Sequence, residues 1–178
     1  MRAFENGFIK LMGGATTALK RQVASKHDSR DYIERVQSSS GVKLDVSRSS
    51  QVEIIEPEPE CRFVVVDGKH TFVEKEGALI PFVGSQETLA LLPSAYIDDG
   101  AIKFILKGAD VMRPGIVRYD QWGGKDVLVV VRDEKKGRGL AIGRANVASE
   151  EMAGLTKGVS ITNLHHAGDG FWTSHRLI

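Results

Sequence analysis

Two lysines one helical turn apart, Lys103 and Lys107, stand between two glycines, Gly100 and Gly108. Ammonium groups at i and i+4 share one helix face, and such a pair can hold the phosphates of a nucleic-acid backbone. Phosphate contacts supply affinity rather than sequence choice. The same spacing is common on a merely solvated helix, so spacing alone leaves both readings open. Three arginines can extend the patch: Arg113 just before Pro114, Arg118 further along the same expected strand, and Arg144 within Gly143-Arg144-Ala145, which reads equally well as a plain surface residue. His165 and His166 invite a metal, yet adjacent strand residues face opposite ways and no third ligand stands at useful spacing. His165 therefore reads as a core or turn-bonded residue, while His166 can stack on or hydrogen-bond an unpaired nucleotide. Phe171 and Trp172 offer a stacking platform, although one of them at least must fill core. No metal site and no cofactor is expected.

These residues need elements to hold them. Ala101, Ile102, Ile105 and Leu106 fall on one helix face, which predicts a helix over 100–107 stopped by Gly108. Gly100 is small enough to admit a neighbouring backbone. A strand over 111–117, carrying a turn at Pro114-Gly115, follows, then strands over 127–132 and 140–147 around a charged hairpin tip at 133–139. A helix over 149–155 begins with Ser149-Glu150-Glu151. The chain then closes with a strand, a Gly-Asp-Gly turn and an aromatic return strand. Upstream, residues 25–40 read as a helix capped by Ser25 or Asp28 and closed by Gly41. Strands over 51–56, 62–66 and 70–74 follow, the last two joined by Asp67-Gly68. Pro57 and Pro59 punctuate a link. Residues 85–92 suit a short helix with Leu89, Leu91 and Leu92 inward. Pro93 biases Leu92 away from helix, which sets a boundary there: an N-terminal domain over 1–92 and a second over 93–178. Within the first, 1–24 is either loosely ordered or an edge strand. Many short strands with few short helices predict an α+β chain, its second half a small, partly closed barrel.

Bulk properties narrow the function. Net charge is +1, so any RNA footprint must come from local clustering rather than a polycationic surface. A single cysteine, Cys61, excludes a disulfide framework and a multi-cysteine zinc site. No apolar run approaches the length of a membrane span, and the first residues lack the apolar core of a signal peptide, so a cytoplasmic protein is expected. Phosphate-loop, dinucleotide and nucleophile-elbow motifs are absent. Glu56, Glu58 and Glu60 alternate with prolines in a solubilising pattern, and no enzyme is expected.

The segments AYIDDGAIKFILKGADVMRPGI, VRDEKKGRGLAIGRANVASEEM and KGVSITNLHHAGDGFW resemble the PUA domain, the RNA-binding pseudo-barrel named after pseudouridine synthases and archaeosine transglycosylases. Together they are similar to the translation-associated family that includes the malignant-T-cell-amplified-sequence proteins and archaeal relatives; ligatin shares the same opening. The likeness is specific over 95–172 and weaker over 25–92. It implies a small N-terminal α/β domain followed by a PUA pseudo-β-barrel. It also implies a non-enzymatic RNA-binding protein of the translation machinery that contacts tRNA or rRNA on the small ribosomal subunit, with a translation-factor partner in the eukaryotic members. The resemblance places the RNA groove between the helix and the strand after it, making Arg113 the favoured arginine. Two alternatives remain: a noncatalytic RNA-binding subunit of a tRNA- or rRNA-modifying enzyme, and a protein-interaction scaffold.

Overall fold

The structure, a computed structural model, describes residues 19–178. The expected edge strand falls within them as β1 (Lys20–Val23), and the rest of the N-terminal segment lies outside the described residues. Helix α1 (Lys26–Ser40) starts where Ser25 Oγ accepts the Asp28 N–H and ends where Gly41, at φ 67°, returns its N–H to the Gln37 carbonyl. It buries Ile33 and Val36 against an antiparallel meander of β1, β2 (Val52–Glu58), β3 (Cys61–Val66), β4 (His70–Lys75) and β5 (Ala78–Pro81). Asp67 and Gly68 both take positive φ, but the β3–β4 loop has three residues, Asp67 to Lys69, closed by the Val66–His70 pair, rather than the expected two. Pro57 lies inside β2 rather than in a link; it sits beyond the end of β1 and at a register shift, where a missing N–H breaks no ladder. Helix α2 (Gln86–Leu89) buries Leu89, but Leu91 is exposed, because the helix ends before it.

The second sheet runs β7 (Val111–Met112), β11 (Val159–His166), β10 (Gly139–Ala145), β9 (Leu128–Asp133), β6 (Ser94–Ile97), β8 (Ile116–Tyr119). Its two outermost strands, β7 and β8, are separated only by the 3₁₀ turn Arg113–Gly115. The expected single strand over 111–117 is therefore two strands on opposite edges, and that break curls the sheet into a half-barrel. Helix α3 (Asp99–Ile105) contributes Ile105 to a core shared with Ile97, Val111, Val129, Val131, Met152 and Ile161. Gly143 is obligatory inside it: a Cβ there would come within 2.3 Å of Ile161 and 2.8 Å of the Thr162 carbonyl.

Two further expectations are corrected. Residues 149–154 form a 3₁₀ helix. The aromatic return strand is instead helix α4 (Gly170–Ser174), because the Asp169 carboxylate accepts the Trp172 N–H at 2.9 Å and caps a helical turn. Helix α4 packs against the N-terminal sheet. A third core joins the halves: Phe63, Val73, Ile80, Phe82 and Leu89 meet Val130, Ile142, Phe171 and Trp172. Among the described residues no helix is long and apolar enough to cross a membrane.

Candidate nucleic-acid interface

One end of the half-barrel gathers the basic residues, and strand direction is the reason. Strands β6 and β9 are parallel, with Ile97 paired to Asp133, so their C-terminal ends coincide. Helix α3 leaves from the first through Asp98, and the β9–β10 hairpin leaves from the second. Strand β10 departs from that hairpin, and its Ala141 pairs with His166, which brings the end of β11 to the same place.

Helix α3 is capped by Asp98, whose Oδ1 accepts the Ala101 N–H at 2.9 Å. Ile105 is buried and Ala101 and Ile102 are half-buried, so Lys103 and Lys107 project away from the core. Leu106, expected inward, is exposed because it lies past the last helical residue. Phe104 is 54% exposed, with the Lys103 Nζ 4.9 Å from its ring centre. Gly108 takes φ 87°, and a Cβ there would lie 3.2 Å from His166 Nε2. Asn163 pins the helix end to β11: its side chain donates to the Ile105 and Ala109 carbonyls at 3.2 and 3.0 Å, and its N–H to Asp110 at 2.8 Å.

Gly100, Lys103, Lys107, Gly108 and His166 thus share this end. Gly100 is exposed and admits no neighbouring backbone; a Cβ there would meet the Asp98 carboxylate at 3.1 Å, and one at Gly115 would meet Ala101 Cβ at 3.2 Å. Arg113 and Arg118 have partners of their own. Arg113 is half-buried, donating to the Met152 and Ile116 carbonyls at 2.8 and 2.9 Å, and so braces the turn between β7 and β8. Arg118 lies on β8 with its guanidinium 3.2 Å from the Tyr96 ring centre. Arg144 alternates with Gly143 and Ala145, which face the barrel core, and shares the outer face with Ile142. Phe104 and Asn163 were not singled out by the sequence reading, and the Lys135-Lys136 hairpin was read as a charged tip that need not face RNA. The parallel pairing that brings the hairpin alongside α3 leaves no local signal.

His165 and His166 do face opposite ways. His165 is fully buried, its Nδ1 2.6 Å from Asp169 Oδ2, and it stacks on Phe82 at 5.4 Å. Burial alone would raise the Asp169 carboxyl; the hydrogen bond and charge of His165, with the Trp172 and His166 N–H groups, outweigh it and hold the acid below its usual range. Burial also depresses the pKa of His175, which stacks on Phe82 at 4.4 Å. The His165 imidazole is closed off from solvent, while the Asp169 side chain is 19% exposed.

The PUA domain model matches residues 93–167. The chain is 36% identical over 141 residues to translation machinery-associated protein 20 of Saccharomyces cerevisiae, covering 71% of this chain and 74% of that protein. It is 32% identical to an uncharacterized protein of Methanocaldococcus jannaschii, over 86% of this chain and 95% of the relative. With malignant T-cell-amplified sequence 1 of Rattus norvegicus it shares 29% identity over 70% of this chain and 72% of the relative. A solved PUA-domain structure from Aeropyrum pernix superposes with a TM-score of 0.75 at 21% identity, over 89% of this chain and 92% of that one, and so shows the same fold. A PUA half-barrel behind a helix-backed meander, with these relatives, establishes that the chain belongs to the translation machinery-associated protein 20 and malignant T-cell-amplified sequence family.

Proposed function

We propose that this protein binds RNA in the translation machinery through the solvent face of α3, contacting tRNA or the rRNA of the small ribosomal subunit. The observation that carries this reading is the pair Lys103 and Lys107, aimed away from the core at the end of a PUA barrel where Phe104 is also exposed. Two cations beside an exposed ring suit a backbone phosphate and an unstacked base. The names of the relatives supply the translation context. A non-catalytic role fits the full burial of the His165 imidazole.

Two measurements test this. Sedimentation of cell lysate through a sucrose gradient should place the protein with small subunits; a profile confined to the top of the gradient counts against a ribosomal site. Lys103→Glu with Lys107→Glu should weaken tRNA or subunit binding strongly and flatten its salt dependence, the slope falling by about one per lost phosphate contact. Unchanged affinity and slope in a folded variant would remove α3 from the site.

A further inference from the structure

We propose that the β9–β10 hairpin is a second phosphate-binding arm, with Lys136 and Arg138 continuing the α3 surface so that RNA crosses the barrel end from helix to hairpin. The proposal rests on the α3 reading above and adds to it where the strand goes next.

The hairpin is rigid and its acid is turned inward. Asp133 is buried, and its Oδ1 accepts the Lys135 and Lys136 N–H groups at 2.8 and 3.2 Å. The Gly137 N–H returns to the Asp133 carbonyl at 2.9 Å, and the Glu134 N–H bonds the Ile97 carbonyl at 3.1 Å, at the end of the strand that feeds α3. Arg132 props the tip from below, donating to the Gly137 carbonyl, to Ser94 Oγ and to the Leu89 carbonyl. Lys135 closes the gap to the helix by an ion pair with Asp99.

The charges that remain are mostly of one sign. Asp98 is committed to the helix cap, Asp99 to Lys135 and Asp133 to the hairpin backbone. Lys103, Lys107, Lys136 and Arg138 are exposed and form no ion pair among the described residues, against Glu134 and Asp110, whose carboxylate accepts the Asn163 N–H. A near-neutral chain therefore presents a local cationic track. Because the tip is held by hydrogen bonds before any ligand arrives, little ordering cost falls on binding.

The test compares full-length protein, Lys136→Ala with Arg138→Ala, and Lys103→Glu with Lys107→Glu, by fluorescence titration across a salt series. The probes are oligouridylates of about four and about 12 nucleotides, within the range that small nucleic-acid-binding domains occupy. The hairpin pair should leave the short RNA unaffected, weaken the long one and lower its salt slope by about 1.4, two contacts' worth for a single strand. The α3 pair should weaken both. Hairpin variants that bind the long RNA normally while the α3 pair fails would overturn the arm and keep α3. Loss in the hairpin variants with normal binding by the α3 pair would overturn the helix-to-hairpin path and the α3 reading. No binding of either RNA by the unaltered protein would overturn both. Unchanged melting curves keep misfolding out of the comparison.

Discussion

Gly108 shows how much one residue settles at this end of the molecule. Its φ of 87° is costly for any L side chain, and a methyl group would press on His166 at 3.2 Å. Gly108→Ala should lower stability by about 1–2 kcal/mol in denaturant unfolding, and a change near zero would show that the helix end can relax. His175 makes a pH prediction. Its folded pKa lies below the unfolded value of about 6.5, so the unfolded chain binds its proton first. Stability should therefore fall as pH drops from about 6.5 towards that lower folded value. His175→Phe keeps a ring on Phe82 and should flatten this limb; an identical pH profile in the variant would exclude His175 as its source. Residue types were the legible part of the site. Lys103 and Lys107 needed only the helix period, whereas Arg144 follows three consecutive apolar residues, Leu140-Ala141-Ile142, which do not say which face is the core.

Elements were read well where a cap or turn announced them and poorly where an end was ambiguous. Ser25, Gly41 and Asp67-Gly68 marked α1 and the β3–β4 hairpin because each position has a backbone demand of its own. Gly168-Asp169-Gly170 suits a hairpin equally well, and it is the Asp169 carboxylate, capping the Trp172 N–H while bonded to His165, that decides for a helix. That carboxylate caps α4 and also holds His165, so Asp169→Ala removes a cap and orphans a buried imidazole. The combined loss should be about 2–4 kcal/mol in thermal or denaturant unfolding. A loss under half the lower figure would mean that water replaces the carboxylate. The sign with pH is the same as for His175, in a more acidic window: the contribution of Asp169 is present above its unfolded pKa of about 3.8 and disappears as pH falls through its lower folded value.

Across the whole molecule, the strand that matters most is β9. Its run Leu128-Val129-Val130-Val131 alternates between two cores, with Val129 and Val131 in the barrel and Val130 against the N-terminal sheet. A continuous apolar run announces burial on both faces, but it does not name what lies on the second. Gly139 admits Leu89 to the same interface, where a Cβ would stand 2.7 Å from its methyl. The Lys75 ammonium also reaches across, to the Leu164 carbonyl at 2.7 Å. We propose a domain boundary at Pro93, such that residues 93–178 fold alone with a cooperative transition at a lower temperature than the full chain, since Val130, Ile142 and Trp172 lose their cover. A fragment with no cooperative transition would refute that boundary. The shared strand also has a mechanical meaning. On the proposed seating of α3 and the hairpin on RNA, the N-terminal sheet would be carried as a stiff outrigger rather than a tethered ball, because it shares a core with β9. A ligand on that sheet would then stand at one distance and one angle from the RNA, which would concentrate the two events into a single local encounter.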